Sequence, residues 1–442
     1  MAGGPAGCWR GLATAGWAVE GGYHRPGGPA NQWVQWELAG LVPPSPPGPA
    51  FWDDPATLLD EVAGAGCTAF GLSVEWARIE PEEGVVDAAA LDRYATVLDG
   101  CAERGLLPVV TLLRRTHPWW LGEEFWLTPG APDRFAAHVA RVVERLAGGC
   151  RHWVTVHEPN LAAAAGWVIA TEPPARVGAL SDAWAVCDNL LTAHVLAAEE
   201  VHRCQPDAQV TLSPRASSVY DLHALLVDLL CARRLGVGAH DVDELVAERR
   251  AVHDRSVPAS GPAERLLRRA AAATSPFGGR RGVRRPSPRR VVDAVYAAHR
   301  PCSLDAVAVS WQQPDPTRLF RVPAGIRAGR GPAGPWARRP WTVRPDPAAL
   351  GRWCVVQAAA TPGLPLWVLD DGLALPPDGS ARPDGWDADG YTRAHLGALD
   401  GAAVAGAPVA GYLQRADGYD PAGGRRDPAA MAVTCAPAAT RT

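Results

Sequence analysis

The segment Trp153–Asn160, WVTVHEPN, places a histidine and a glutamate directly after an apolar run. The run predicts a strand up to Val156, and the proline at 159 ends the strand because it has no backbone N–H to donate. Glu158 is therefore expected at the C-terminal tip of a strand. A carboxylic acid partly desolvated there would have a raised pKa and could donate a proton near neutral pH. A structural role, as a helix cap or an ion-pair partner, is the alternative.

The segment Pro365–Gly372, PLWVLDDG, repeats this pattern with two acids before a glycine turn. Asp370 or Asp371 could serve as a nucleophile or base, or Asp371 could cap the turn. A pair of carboxylates on two strand tips is what the cleavage of a glycosidic bond requires. The spacing leaves open whether the two acidic segments face each other.

Short apolar runs alternate with longer amphipathic stretches along the chain, which predicts repeated βα units and parallel strands. At 442 residues the chain could form two or three average domains or one elaborated α/β barrel. The predicted strands are Thr68–Val74, Leu107–Leu113, Trp153–Val156, Val210–Ser213, Asp305–Ser310 and Leu366–Leu369. The predicted helices include Ala88–Arg104, Pro132–Ala147 and Asn189–His202.

Three segments rich in Gly and Pro, 22–50, 255–290 and 322–348, are predicted to form long loops. The arginine-rich segment 255–290 is expected to be a flexible, solvated loop, because it has no interleaved aromatics and no helical period. Loops that follow strands build the mouth of an α/β barrel, so these segments are candidate lids.

Composition excludes several classes of partner. A net charge of −4 argues against nucleic acid and anionic membranes, and no run of 18 apolar residues predicts a membrane span. The 10 cysteines form no C-x-x-C pair, and no glycine-rich phosphate motif follows a strand, so we expect no metal and no cofactor. The N-terminus shows no signal peptide, and we expect a cytoplasmic protein. The sequence makes no prediction of oligomeric state.

Several ordered motifs resemble those of family 1 glycoside hydrolases. Gly11–Gly21, GLATAGWAVEG, and Phe70–Pro81, FGLSVEWARIEP, are similar to the family's first two strand motifs. WVTVHEPN resembles the T-x-N-E-P block, and PLWVLDDG aligns without gaps on P-I-x-I-T-E-N-G. The resemblance runs through nearly the whole chain and implies one (β/α)₈ TIM barrel domain over residues 1–442. It also implies Glu158 as the acid/base and Asp370 at the position of the nucleophile.

The chain departs from the family at the positions that bind the sugar. Five residues that the family uses around its sugar are replaced here. Ala18 stands for the hydroxyl-binding Gln, Gly71 for the Arg beside the nucleophile and Arg114 for the His of the third strand. His157 stands for the Asn before the acid/base, and Gln312 for the second Tyr of N-Y-Y. Loss of such groups should cripple hydrolysis of a simple β-glucoside, by roughly 10⁴-fold or more. Asp370 is one methylene shorter than Glu, so we expect its carboxylate to retract by about 1.5 Å. The two carboxylates would then approach the separation of inverting enzymes, about 6.5–9.5 Å.

Further side chains are candidate ligands for a small-molecule substrate. Glu20 is retained from the first motif, and Trp311 precedes Gln312 in the segment Ser310–Gln312. Strand alternation predicts that Glu75 shares a face with Gly71 and pairs with Arg114 at the barrel mouth; a purely structural bridge is the alternative role for this pair. His157 could orient Glu158 or titrate near neutral pH. Trp119 and Trp120 follow the third strand and could stack on a ring, although at least one is expected to be framework.

Three functions remain open from the sequence. The leading hypothesis is a glycosidase-fold enzyme repurposed for acid/base chemistry, namely dehydration, elimination or cyclisation of a polyhydroxylated or polyketide-like natural product of secondary metabolism. Glu158 would be its general acid/base, with Asp370 or His157 as the counterpart. The alternative is a divergent β-glycosidase that hydrolyses an unusual glycoconjugate. The third is a binding protein without catalytic activity.

Overall fold

The computed structural model describes residues 7–42, 51–257, 259, 261–278, 289–313, 340–376, 379–415, 419–420 and 424–425. Eight parallel strands form one sheet in the order β5-β4-β3-β2-β1-β8-β7-β6. The strands are β1 Trp9–Ala13, β2 Ala69–Ser73, β3 Leu107–Leu113, β4 His152–His157, β5 Gln209–Ser213, β6 Val307–Gln313, β7 Leu366–Leu373 and β8 Val409–Arg415. Two short strands, β9 Tyr419–Asp420 and β10 Gly424–Arg425, pair with each other.

The sheet curls into a nearly closed barrel. The backbone N–H of Ser310 on β6 donates to Pro214 just beyond β5, and Ser310 in turn accepts from the N–H of Ala216. The predicted (β/α)₈ TIM barrel is therefore confirmed. The carboxyl ends of all eight strands lie at one rim, where side chains from distant parts of the sequence can meet.

Helices follow the strands and cover the outside of the barrel. They are α1 Gly16–Val19, α2 Gln32–Leu38, α3 Pro55–Gly64, α4 Trp76–Ile79, α5 Ala88–Glu103, α6 Ala131–Leu146, α7 Pro159–Trp167, α8 Leu180–Cys204, α9 Ala224–Cys231, α10 Val242–Ser256, α11 Pro262–Thr274, α12 Arg290–Ala297, α13 Pro347–Ala360 and α14 Ala388–Val404. Across the described ranges, none of these helices combines the length and apolar character that a membrane crossing needs.

Local sequence explains where these elements begin and end. The Asp87 side chain accepts hydrogen bonds from the N–H groups of Ala89 and Ala90, which otherwise have no partner in the first turn of α5. Leu91, Tyr94 and Leu98 follow at helical spacing and are buried against the sheet. The chain leaves the helix at Gly105, whose φ of +67° is a left-handed conformation that suits glycine.

The hydrophobic core of the described residues has three parts, the smallest of which joins Trp17, Tyr23, Trp33 and Val34. A small inner cluster fills the barrel with side chains from successive strands, among them Ala13, Ala69, Val109, Val154, Ala308, Trp367 and Leu413. A larger cluster packs between the strands and the surrounding helices. Because small residues alternate with the bulky Trp367 inside the barrel, the interior is packed below the rim and a ligand must bind above it.

The predicted strands and helices are confirmed to within a few residues at most of their ends, with α8 starting nine residues before the prediction. The loop prediction for 255–290 is wrong where α11 and the end of α10 lie, because the Ala- and Leu-rich run from Pro262 has high helix propensity and an early proline. Helix α2 likewise interrupts 22–50. Residues 279–288 and most of 322–348, including Trp336, lie outside the described residues.

Candidate active site

Glu158 stands immediately after β4, as the sequence predicts. Its N–H donates to the carbonyl of Ser213 on β5 at 2.7 Å, which extends the pairing of the two strands by one residue. The next residue, Pro159, begins α7. Glu158 has a φ of +53°, a left-handed conformation that is uncommon for a residue with a side chain and that clusters at functional sites. The turn directs the carboxylate towards the rim of the barrel.

Asp370 has the same unusual backbone on the opposite side. Its φ is +56°, and the pairing of β7 with β8 shifts register between Val368 and Asp371. Such bulges are frequent beside active sites because they turn a side chain out of the regular alternation. The Asp370 side chain is only 2% exposed.

Both oxygens of Asp370 are held by side chains from other strands. Arg114, just after β3, donates from Nη2 to Oδ1 at 2.6 Å, and Gln312 on β6 donates from Nε2 to Oδ2 at 2.6 Å. Arg415, at the end of β8, donates to Oε1 of Gln312 at 2.5 Å. Burial alone would raise the pKa of Asp370, but the charges of Arg114 and Arg415 outweigh burial and hold the pKa far below its usual range.

Glu158 is also held by a cation. Arg215, two residues beyond β5, donates from Nη1 to Oε1 at 3.0 Å, and the Ser310 hydroxyl donates to the same oxygen. Burial raises the pKa of Glu158, but positive charge at His157 and Arg215 together with the Ser310 hydrogen bond lowers it to about 2. The expectation of a raised pKa is therefore wrong for the free protein, in which this carboxylate is ionised at neutral pH.

His157 lies between the two carboxylates. Its Nε2 is 3.6 Å from Oδ2 of Asp370, and its Nδ1 is 3.9 Å from Oε2 of Glu158. Burial, with the charge of Arg114 adding to it, lowers the pKa of His157 to about 4. The imidazole is thus neutral at pH 7, and the prediction that it titrates near neutral pH is wrong. With His157 neutral, Arg215 and Ser310 are the groups that keep Glu158 ionised.

The two carboxylates approach each other closely. One oxygen of Glu158, one oxygen of Asp370 and one nitrogen of His157 all lie within 4.8 Å of one another. This distance joins the nearest ligand atoms, whereas the ranges for retaining and inverting glycosidases are separations of the carboxyl groups. The retraction of Asp370 towards an inverting separation therefore stays a prediction.

Glu75 and Glu20 lie in a separate buried cluster. Arg114 pairs with Asp370 instead of Glu75, so the predicted Glu75–Arg114 ion pair is wrong. Strand β2 ends at Ser73, and Glu75 instead caps α4 by accepting from the N–H of Ala77 at 3.2 Å. Glu20 accepts from Nε of Arg78 and from the Tyr94 hydroxyl, both at 2.7 Å. Both acids are 2% exposed and bind protein groups, which does not support our assignment of them as substrate ligands.

Asp371 is part of the framework as well. Its carboxylate accepts from the hydroxyls of Tyr391 and Tyr412, at 2.9 and 2.7 Å, and contacts Nδ1 of His395 at 2.8 Å. The residue is 0% exposed. Asp371 thus ties β7 to α14 and β8, and its assignment as a substrate ligand is corrected to a structural role.

None of the candidate tryptophans Trp119, Trp120 and Trp311 lines the cavity beside His157. Trp120 donates its indole N–H to the Glu80 carbonyl at 2.9 Å, Trp119 is 39% exposed, and Trp311 packs against Trp353 in the core. A small cavity that is partly open to solvent lies beside His157. Its walls include Trp33, Arg115, Trp126, Trp167 and Glu172. The cavity therefore has aromatic walls, but they come from other parts of the chain.

The structure brings together Glu158, Asp370, His157, Arg114 and Gln312, all of which the sequence singled out. It adds Arg215, Ser310 and Arg415, to which the sequence argument gave no role. Arg215 follows a predicted strand by two residues, at the rim where site groups lie, and this position was the signal that could have identified it.

Gly71 shows how one family group has been lost. A Cβ placed on Gly71 would lie 2.7 Å from a methyl carbon of Leu413 on β8. Leu413 therefore fills the space beside Gly71 in which the resemblance implies an arginine side chain next to the nucleophile. Arg114, from the neighbouring strand, supplies a guanidinium to Asp370 in its place.

Solved structures that are similar to this chain cover nearly all of it. A family 1 β-glucosidase from Thermotoga maritima superimposes with a TM-score of 0.68 at 19% identity, covering 94% of this chain and 89% of that one. The AHE enzyme from Alicyclobacillus herbarius gives a TM-score of 0.63 at 20% identity, with coverage of 93% and 88%. At these identities the similarity shows the fold alone.

Curated relatives match a shorter part of the chain. Coniferin beta-glucosidase of Pinus contorta is 27% identical over 176 residues, or 38% of this chain and 34% of the relative. The 6-phospho-beta-galactosidase 1 of Streptococcus pneumoniae is 29% identical over 237 residues, or 51% and 48%. The chain thus spans about a third to a half of these relatives.

The family model described as "Glycosyl hydrolase family 1" matches residues 5–235, just over half of the 442 residues. The chain therefore belongs to glycosyl hydrolase family 1, and the resemblance seen in its motifs is confirmed.

Proposed function

We propose that this protein is an enzyme that transfers a proton within a polyhydroxylated or polyketide-like small molecule, with Glu158 as general acid/base. This proposal rests on the two hydrogen bonds that hold the Asp370 carboxylate. Both oxygens of that carboxylate accept a 2.6 Å hydrogen bond, from Arg114 and from Gln312. In the state that the structure describes, neither oxygen is free of a hydrogen bond, so Asp370 would have to give one up before it could attack carbon. Asp370 is better suited to balance charge than to form a glycosyl ester.

Glu158 keeps one oxygen available for a substrate. Its Oε1 is occupied by Arg215 and Ser310, whereas Oε2 accepts no hydrogen bond from any residue that the structure describes. Because the carboxylate is ionised at neutral pH, its first act is to accept a proton. Neutral His157, whose Nδ1 is 3.9 Å from Oε2, is too far away for a direct hydrogen bond and could exchange that proton only through one bridging water.

One shuttling carboxylate is sufficient for the reactions proposed. In a dehydration, Glu158 removes a proton from the carbon beside a carbonyl, and the C–H electrons form the new C=C bond as the C–O bond to the leaving hydroxyl breaks. Glu158 returns the same proton to that hydroxyl, which departs as water. In a cyclisation, Glu158 takes the proton of a hydroxyl whose oxygen attacks a carbonyl of the same molecule, and then protonates the new alkoxide. Both reactions balance without a cofactor.

A divergent β-glycosidase that acts on an unusual glycoconjugate is the second candidate. Family membership and the approach of the two carboxylates to within 4.8 Å favour it. In that case Asp370 would have to exchange its two hydrogen bonds for a bond to the anomeric carbon when substrate binds.

The test compares proton exchange with glycoside cleavage. Wild-type protein, Glu158→Gln and Asp370→Asn are incubated in D₂O with a panel of polyhydroxylated and β-hydroxy ketones, and deuterium incorporation beside the carbonyl is followed by NMR. The same proteins are assayed for p-nitrophenol release from aryl β-glycosides. Arg145→Met, which breaks an exposed ion pair with Asp92, is the matched control.

We expect exchange or dehydration by the wild type and the control, reduced about 10²–10⁴-fold in Glu158→Gln. Rapid release of p-nitrophenol that disappears in Asp370→Asn would establish the glycosidase instead. Neither activity on the whole panel would contradict the proposal and favour a binding protein.

A further inference from the structure

Hydrogen-bond donors accumulate around the two carboxylates. An arginine side chain carries five N–H donors and no acceptor. Arg114 uses one of them, on Asp370, in the part of the chain that the structure describes. Arg215 likewise directs one side-chain N–H to Glu158, and its buried Nε has no hydrogen-bond partner among the described residues. Buried N–H groups normally have an acceptor, so this site is built for a ligand that brings acceptor atoms.

Positive charge is concentrated at the same place. Arg415 donates a hydrogen bond to Gln312 beside Asp370. Burial lowers the pKa of Arg415 to about 10. The charge of Asp370 opposes this shift, and the charges of Arg215 and Arg114 add to it. Three guanidinium groups from three different strand ends are therefore within electrostatic reach of one another. The three guanidiniums, Arg114, Arg215 and Arg415, exceed the two carboxylates, Glu158 and Asp370, by one positive charge, so this cluster favours an anionic ligand over a cationic one.

We propose that the substrate of this site carries an oxyanion, a carboxylate, phosphate or sulfate, which Arg114 and Arg215 bind. The guanidinium fork matches the oxygens of such groups and holds them by two parallel hydrogen bonds. This inference rests on the proposed function, since it assigns the charge of the molecule on which Glu158 acts. It also gives a reason why Arg114 stands where the family resemblance implies a histidine.

Binding of the oxyanion would change the state of Glu158. Arg215 would exchange the carboxylate for the ligand, and Glu158 would lose one of the groups that lower its pKa. Its pKa would rise towards its usual range, so that a proton taken from the substrate could be held and returned. Glu158 would then be ionised in the free protein and would become able to hold a proton once an anionic substrate has bound.

The site does not favour a metal ion, although three groups are close enough to suggest one. His157, Glu158 and Asp370 offer ligand atoms within 4.8 Å. A divalent cation there would stand beside Arg114, only 2.6 Å from Asp370, and beside Arg215, 3.0 Å from Glu158. It would also compete with both guanidiniums for the same oxygens.

Calorimetric titration tests the proposal without requiring turnover. The probes are sulfate, inorganic phosphate and D-glucuronate, with D-glucose and matched concentrations of chloride as controls for the ring and for ionic strength. The proteins are the wild type, Arg215→Met, Arg114→Met, Glu158→Gln and the control Arg145→Met. Comparison of the three anions distinguishes a carboxylate ligand from a phosphate or sulfate.

We expect the oxyanions to bind the wild type and Arg145→Met, and to bind Arg215→Met at least about 10-fold more weakly, the loss of one hydrogen bond to a charged group. Binding to Glu158→Gln should be tighter than to the wild type, because the neutral amide competes less for Arg215. Titrations in buffers of different ionisation enthalpy should show proton uptake at mildly acidic pH, since the released carboxylate gains a proton.

Oxyanion binding no greater than with chloride, or equal in Arg215→Met and Arg145→Met, would overturn the inference. Stabilisation by Mg²⁺ or Zn²⁺ that His157→Ala removes would replace it with a metal site. Anion binding that follows the expected pattern, in a protein that shows no proton exchange, would contradict the proposed function and leave the anion site in place.

Discussion

Arg114 Nη2 lies 2.6 Å from Asp370 Oδ1, and this ion pair joins the rims of β3 and β7 across the barrel, between residues 256 positions apart in the sequence. Only 10% of the Arg114 side chain and 2% of the Asp370 side chain are exposed. The pair is therefore almost completely buried. It places a cation where the family resemblance implies a neutral histidine.

Breaking this pair from one side should destabilise the protein. Arg114→Met leaves the Asp370 charge buried, and removal of one partner of a buried ion pair costs about 3–5 kcal/mol. We expect a loss of that order in the free energy of unfolding, measured by urea denaturation. The double variant Arg114→Met/Asp370→Leu should recover part of it, because it leaves no buried charge.

Arg145→Met is the control, since its ion pair is exposed and should contribute less than about 1 kcal/mol. If Arg114→Met is as stable as the control, the ion pair does not hold the rim together.

Asp371 should prove to be structural. Asp371→Ala would leave the buried hydroxyls of Tyr391 and Tyr412 without their acceptor, at about 1–3 kcal/mol for each unsatisfied group. We expect thermal unfolding at a clearly lower temperature, and oxyanion binding that is retained at temperatures where the variant is folded. A variant as stable as the wild type that has lost its ligand would restore Asp371 as a substrate residue.

Glu75 should make stability depend on pH. Burial, followed by the charge of Glu20, raises its pKa from the ordinary 4.5 to about 7. The folded state therefore binds this proton more tightly than the unfolded chain. The resulting stabilisation is fully present below pH 4.5 and is lost as the pH rises through 7. Its full size is about 3 kcal/mol, at about 1.4 kcal/mol for each unit of pKa.

The measurement is urea denaturation of the wild type and Glu75→Gln at a series of pH values. The wild type should lose stability relative to Glu75→Gln across that window, whereas Glu83→Gln, at an exposed position, should follow the wild type. Parallel curves for the wild type and Glu75→Gln would show that Glu75 is not protonated in the folded protein.

Much of the fold was predictable because it depends on short-range patterns. The apolar runs at Leu107–Leu113 and Trp153–Val156 became β3 and most of β4, and Pro159 marked the end of the strand before Glu158. The position of Glu158 directly after β4, and that of Asp370 in the C-terminal half of β7, followed from the same patterns together with the family resemblance.

The partners of these residues were not predictable in the same way. The sequence prediction for Glu75 assumes that the side-chain alternation of β2 continues to this residue. The strand ends at Ser73 and the chain turns into α4, so Glu75 does not follow the alternation. The protonation state of Glu158 depends on Arg215, which reaches it from another strand. Such pairings depend on which strand ends meet in three dimensions, and hydrophobic periodicity carries no information about that.

The ionisation of Glu158 is the central claim, and infrared difference spectroscopy measures it directly. Spectra of the wild type minus Glu158→Gln, recorded across a pH titration, isolate the band of the protonated Glu158 carboxyl group. We predict that this band stays absent from neutral pH into the acid range, in keeping with a pKa of about 2, and that it appears at higher pH in Arg215→Met. A Glu158 carboxyl group that is already protonated near neutral pH in the free wild type would contradict the account.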